Sequence, residues 1–192
     1  MVDSGLGFLP WNRSLDGTVR MTTDDFLIEP LNSATEPLVT SLIRRNLHGY
    51  EEAGSVLTST FRRLANLMHV YNQDGARFFV LRQSSSAHSC IGGAGIGSLH
   101  GLPPSEGLGE VRDLVLEESY RGRGLGARLL KRCVEEAKAM GYRSLYLETT
   151  PQMEKAQKLF IRFGFRPVTQ ASPDLDPKGS SVIPCYFILE NL

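Results

Sequence analysis

Arg121-Gly122-Arg123-Gly124-Leu125-Gly126 sets three glycines at alternate positions beside two arginines, just after the apolar run Leu114-Val115-Leu116. Glycines so spaced let backbone N–H groups approach a ligand closely. The amphipathic stretch from Leu125 to Met140 predicts a helix whose positive end points at the same place. The combination is a cradle for phosphate. Arg121 and Arg123 add fixed charge and bidentate donors, which suits a pyrophosphate better than a carboxylate.

The elements that must hold this cradle can be read from the hydrophobic periods. Phe26-Leu27-Ile28 reads as a short strand ended by Pro30, after an irregular arm over residues 1–24 whose Phe8, Leu9 and Trp11 are expected to pack on the body. Leu38, Val39, Leu42, Ile43 and Leu47 recur at helical spacing, and Leu57, Phe61, Leu64, Ala65 and Met68 repeat the pattern in a second helix. Phe78 to Leu81 and the glycine-rich Ile91 to Leu99 form a hairpin. A Pro-containing loop at 101–109 follows, and then a strand from Val111 to Leu116 feeds the glycines. Leu125, Leu129, Cys133, Ala137 and Met140 line one face of the next helix, which Gly141 stops at the C′ position. Leu145-Tyr146-Leu147 is a buried strand, and Thr150-Pro151 reads as the N-cap and first residue of a helix that ends at Gly164. Phe165 to Val168 and Cys185 to Leu189 close the chain as strands. The order βααβββαβαββ implies a mixed α/β sheet with helices on both faces, because the strand–helix–strand unit at 111–147 crosses over right-handed to a parallel neighbour.

Composition bounds the function. The 192 residues, 41% hydrophobic and 22% charged, suit one domain spanning 1–192, and a formal net charge of zero gives no field for nucleic acid or an anionic membrane. Cys90, Cys133 and Cys185 are widely spaced with no CxxC pair, which reads as reduced thiols and no zinc or other metal site. With no basic leader and no long apolar run, the reading is a soluble cytoplasmic protein.

The glycine segment fits the R/Q-x-x-G-x-G/A signature and resembles the GNAT N-acetyltransferase superfamily. Its flanks extend the likeness over residues 76–192: Leu114 to Tyr120 resembles the preceding strand and turn, and Lys158-Leu159-Phe160-Ile161-Arg162-Phe163-Gly164-Phe165 the later helix end. The resemblance implies acetyl-CoA as co-substrate, with its pyrophosphate on the N–H groups of Arg121, Gly122, Arg123, Gly124, Leu125 and Gly126 and with Ala127 beside them. It also implies a mostly antiparallel sheet in which the Leu114–Leu116 strand splays from the Leu145–Leu147 strand. Pantetheine would pair with the exposed edge at Leu114, Val115 and Leu116, as an amide-bearing arm can with any open strand. The N–H near Leu116 would then polarise the thioester carbonyl. A dinucleotide site competes, since Gly122-x-Gly124-x-x-Ala127 with Glu148 on the next strand satisfies the G-x-G-x-x-G/A pattern. The acidic turn Glu117 to Arg121 and the long chain before it argue against that reading.

Acetyl transfer to an amine requires a base that takes the ammonium proton. Glu110, which opens the strand leading to the cofactor, is the first candidate; its competing role is an ion pair with Arg112. Simple alternation puts Glu110 on the face of Arg112 and Leu114, opposite Val111 and Asp113, unless a bulge changes the register. Glu148 is the second candidate. His48, Tyr50, Glu51 and Glu52 could wall the acceptor pocket. Where many relatives carry a Tyr and an Asn, this chain has Phe160 and Met153, so Phe160 can pack pantetheine but cannot protonate the leaving thiolate. Tyr120, Tyr146 or water would take that role, or the thiolate leaves unaided. This departure also opens a non-catalytic acetyl-CoA-binding role. The expected acceptor is a small-molecule amine attacked in a ternary complex. The sequence does not fix the oligomeric state, though edge strands near the C-terminus could pair two copies into a homodimer.

Overall fold

The computed structural model of the protein describes residues 25–48, 55–86, 89–99, 104–169 and 185–192. Seven strands form one sheet in the order β1-β2-β3-β4-β5-β7-β6: β1 (Phe26–Pro30), β2 (Arg77–Gln83), β3 (Gly92–Ser98), β4 (Leu108–Leu116), β5 (Ser144–Thr149), β6 (Arg166–Val168) and β7 (Cys185–Glu190). Every neighbouring pair is antiparallel except β4–β5, which is parallel, as the crossover through a helix requires. The C-terminal strand β7 lies inside the sheet, between β5 and β6, so the edges are β1 and the three-residue β6.

Helices cover both faces. On one face α4 (Leu125–Ala139) lies across β2, β3 and β4, burying Leu125, Leu129, Leu130, Cys133 and Ala137 against Phe79, Leu81, Ala94, Ile96 and Val111. It ends as expected: Gly141 takes φ 92°, and the N–H groups of Gly141 and Tyr142 return to the carbonyls of Lys138 and Ala137. On the other face α1 (Glu36–Leu47), α2 (Ser55–Leu64) and α3 (Leu67–Tyr71) enclose a second core of Val39, Leu42, Ile43, Leu64, Leu67 and Tyr71 over Phe78, Val80 and Val115.

Two expectations are corrected. The second helix is not continuous: Asn66 leaves helical geometry at φ −156°, which lets Leu64 and Leu67 both reach the core and leaves Phe61 exposed. The Glu36 carboxylate, on α1, accepts the Met68 N–H at 2.8 Å and so caps the new helix. Similarly, α5 (Glu154–Phe163) begins after an N-cap at Met153, not at Thr150. Thr150 sits fully buried in the preceding turn, where its carbonyl accepts the Met153 N–H at 3.0 Å.

Candidate active site

The site lies where β4 and β5 separate. Their parallel register runs Leu108↔Ser144, Gly109↔Leu145, Glu110↔Tyr146 and stops there, although both strands continue. Beyond Glu110 one edge of β4 faces an opening. Glu117 N–H donates to the Ile91 carbonyl at 2.8 Å, toward β3, so the alternation of a strand turns the Leu116 N–H the other way, into that opening.

β4 reaches the opening through a bulge. Gly93 pairs with Val115 and Gly95 with Arg112, so Ala94 alone stands opposite both Asp113 and Leu114. Asp113 takes φ 52°, the left-handed region. The extra residue reverses the alternation expected from the sequence. Leu114 and Leu116 pack on the α4 side with Val111, whereas Val115 joins the core beneath α1. Leu114 therefore lies on the face opposite Glu110 and Arg112, and Asp113 joins their face.

Asp113 is the residue that pattern reading missed. Its side chain is fully buried and accepts hydrogen bonds from Thr60 Oγ1 (3.0 Å), Arg63 Nε (2.9 Å), Arg63 Nη2 (2.7 Å) and Tyr71 Oη (2.6 Å). Burial, then the charge of Asp113, holds the Tyr71 phenol well above its ordinary range. The Arg63 guanidinium is also held above its ordinary range, because its bond to Asp113 and that charge outweigh the opposing effect of burial. The signal in the sequence was a carboxylate inside an apolar strand, which must find a cationic partner.

The two candidate carboxylates are brought to one place. Arg112 Nε donates to Glu110 Oε2 and Arg112 Nη2 to the Ser98 carbonyl, so Glu110, inside β4, makes the ion pair with Arg112 that the sequence offered beside its role as a base. Glu148 follows Tyr146 by two residues and thus shares its face, and the Tyr146 hydroxyl donates to Glu148 Oε2 at 3.4 Å. Burial, and after it the like charge of Glu110, raises the Glu148 pKa, against the bond from Tyr146 and the charge of Arg63. The Tyr146 phenol is pushed up by burial and then by Glu148. Of the two carboxyls, Glu148 is the one whose proton affinity is raised by its surroundings.

At the far end of β4 the glycines have separate tasks. Gly122 and Gly124 adopt φ 78° and 77° with open space where a Cβ would stand, so conformation and not crowding requires glycine there. A Cβ on Gly126 would come within 3.2 Å of the end of the Leu159 side chain, a tight contact that a small shift of that side chain relieves. The first bond of α4 runs from Arg128 N–H to the Gly124 carbonyl, which leaves the N–H groups of Leu125, Gly126 and Ala127 without a partner inside the helix. The arginines brace the turn. Arg121 donates to the Leu116 carbonyl (3.1 Å) and to Asn46 of α1 (2.6 Å), and Arg123 donates to the Ser119 carbonyl (3.0 Å) while lying over the Tyr120 ring.

Met153 and Phe160 bracket α5. Phe160 is buried against Phe165 and Phe187, with no hydroxyl to offer. Burial pushes the Cys133 thiol up to about 12 and the Cys90 thiol up to about 11, so neither is poised as an acyl-accepting nucleophile. Tyr50, Glu51, Glu52, the arm over 1–24 and part of the 101–109 loop lie outside the described residues. Among the described residues, no helix is long and apolar enough to cross a membrane.

A strand opened at its edge, leading to N–H groups without an intrahelical partner at a helix start, is an arrangement with the chemistry to take an extended ligand with an anionic head. The chain belongs to the acetyltransferase (GNAT) family, whose model matches residues 44–165. It is 31% identical over 108 residues to the uncharacterized N-acetyltransferase YjgM of Escherichia coli (strain K12), covering 56% of this chain and 62% of that one. The chain therefore matches less than two thirds of that relative's length. The IAA acetyltransferase of Azospirillum brasilense is 29% identical over 136 residues, 71% of this chain and 79% of its own. The fold matches that of yncA from Salmonella typhimurium, solved with its cofactor acetyl-CoA, at a TM-score of 0.65 and 20% identity over 86% of this chain and 93% of that one.

Proposed function

We propose that the protein transfers the acetyl group of acetyl-CoA to a primary amine, by direct attack within a ternary complex. The observation that carries this reading is the separation of β4 from β5 beyond Glu110 and Tyr146, with the Leu116 N–H turned into the gap and the Gly122–Gly124 turn at its end. In this reading the N–H groups from Gly122 to Ala127 hold the pyrophosphate at the positive end of α4. Pantetheine follows the free edge of Leu114 to Leu116 and passes Met153 and Phe160. The Leu116 N–H donates to the thioester oxygen as negative charge develops on it.

Glu148 takes the proton from the incoming ammonium, directly or through water. Glu110 raises Glu148's proton affinity, and Arg112 keeps Glu110 itself engaged. The amine nitrogen then forms a bond to the acetyl carbon, the C–S bond breaks, the electron pair leaves on the CoA sulfur, and the second proton shed by the nitrogen as the amide forms passes to water or to the departed thiolate. A thiol with a pKa of about 8.5 departs without obligatory protonation, so Phe160 is compatible with turnover. Both carboxylates are partly buried, so the amine must arrive on a slender group; a small-molecule amine is the acceptor proposed, and a lysine-bearing peptide, which meets the same requirement, is its competitor in the screen.

The reading is tested by thermal-shift titration with acetyl-CoA, CoA and NAD(P), followed by a thiol-release screen over amines, amino acids and peptides. Stabilisation by the first two ligands and acetylation of a small amine are expected. Stabilisation confined to NAD(P) refutes the donor assignment. Acetyl-CoA binding with a blank across the whole panel favours the non-catalytic binder that Phe160 left open.

A further inference from the structure

We infer that Asp113, tied to α2 and α3 by Arg63, Thr60 and Tyr71, is the positioning residue that presents the free edge of β4 to the acyl donor. The inference rests on the acetyl-CoA reading above and adds a function to a cluster outside the reacting atoms.

A strand presents its N–H groups alternately to either side, so one extra residue decides which of them face the gap. With the bulge, the Leu116 N–H points into the gap and Glu117 bonds to Ile91. If Asp113 relaxed into regular strand geometry, the parity downstream would reverse: Leu116 N–H would turn toward β3, and Leu114 and Val115 would exchange faces. The bulge depends on a left-handed φ of 52° at Asp113, which L-residues other than asparagine and aspartate resist.

What holds it there is a set of bonds made by the side chain of the same residue. Both carboxylate oxygens are occupied, by a forked pair from Arg63 and by the hydroxyls of Thr60 and Tyr71. Thr60 and Arg63 are on α2 and Tyr71 ends α3, so the helices across this face fix the backbone of the cofactor strand. A buried carboxylate with four such donors cannot leave them without stranding its charge. The sheet also makes room for the cluster, since a Cβ on Gly95 would collide with the Tyr71 ring.

The test compares two probes in calorimetric titrations. Acetyl-CoA uses both the glycine turn and the edge of β4; adenosine 3′,5′-bisphosphate lacks pantetheine and reports the turn alone. Asp113→Ala removes every bond and disfavours the φ, and should weaken acetyl-CoA at least about tenfold while leaving the bisphosphate within about twofold. Asp113→Asn tolerates the left-handed region but offers one acceptor oxygen to four donors, so it should weaken acetyl-CoA less than Asp113→Ala, by about three- to tenfold, again with the bisphosphate spared. If Asp113→Ala fails to fold, Tyr71→Phe and Thr60→Val each remove one donor and should show the same selective loss at about two- to fivefold. Equal weakening of both probes, or unchanged acetyl-CoA affinity in the folded variants, overturns the inference. A wild-type protein that binds neither probe sinks the acetyl-CoA assignment itself, and this inference with it.

Discussion

Replacing Gly124 with alanine isolates the contribution of one left-handed residue to donor binding. Gly124 has φ 77° and ψ −3°, and no atom lies within 4 Å of the place its Cβ would take. Steric collision is therefore absent, and the whole cost is the conformational penalty of an L-residue in the left-handed region, about 1–2 kcal/mol. The penalty can fall in two places. If the turn keeps its shape without ligand, the free protein is destabilised, by about 2–4 °C in Tm per kcal/mol at this chain length. If the turn instead relaxes to negative φ when empty, the free protein is spared and the cost appears on binding, as an affinity loss of about five- to thirtyfold. Either way the CoA-saturated protein loses the full 1–2 kcal/mol relative to the unfolded chain, because that state requires the left-handed turn; the figure remains about that of one residue's backbone strain. The assay is denaturant unfolding of wild type and Gly124→Ala, each free and saturated with CoA, with Kd from calorimetry. The losses in free stability and in binding should sum to the same total. Gly126→Ala is the control: its new methyl meets only the flexible end of Leu159 at 3.2 Å. It gains helix propensity, so its stability should hold or rise. A CoA-saturated Gly124→Ala protein as stable as saturated wild type would refute the claim that the left-handed turn forms the anion site.

Glu148→Gln should lower kcat by about 10²–10⁴ and remove the acidic limb of the pH profile, checked by thiol release with the best amine from the screen. Glu110→Gln removes the like charge that raises Glu148, so the acidic limb should move to lower pH while turnover persists. Glu148 also carries a stability sign. Its folded pKa lies above its unfolded value, so its burial is harmless below about pH 4 and destabilising once pH rises through the folded pKa. Glu148→Gln should therefore raise Tm at pH 8 and leave it unchanged at pH 4; a Tm loss at pH 8 would show that the carboxylate is a structural partner. Thr150 is fully buried and its Oγ1 has no hydrogen-bond partner, so Thr150→Val should raise unfolding stability by about 1 kcal/mol in denaturant melts.

The parts legible in the sequence were those written in local periods. The apolar face of α4 and its Gly141 stop follow from spacing and one residue's backbone freedom, and the structure has both. The Gly122–Gly124 turn was legible for the same reason. The bulge was named only as what could change the register, because nothing in the residues from Val111 to Val115 places it; only pairing with β3 reveals that Asp113 and Leu114 share one partner. The start of α5 was misplaced by three residues, since Thr150-Pro151 has the chemistry of a helix start while tertiary packing buries Thr150 completely. Local chemistry loses to packing wherever a residue's partners lie far along the chain.

The glycines of β3 make the same point from the opposite direction. Gly93, Gly95 and Gly97 alternate, so all three turn one face toward α1–α3, and in the sequence they read only as a weak strand. A Cβ at each would lie less than 3.0 Å from Phe78, from Tyr71 and from the Arg112 guanidinium respectively. The row is a groove in the sheet, filled by the side chains that neighbour the charged groups of the gap. Tyr71 reaches Asp113 across Gly95, and Arg112 reaches Glu110 and the Ser98 carbonyl across Gly97. Thus the glycines of β3 give the charges of β4 room to be buried and paired, and the glycines after β4 leave backbone donors unpaired. The first set makes room for paired charges beside the gap, and the second leaves N–H groups at the start of α4 without a partner inside the helix.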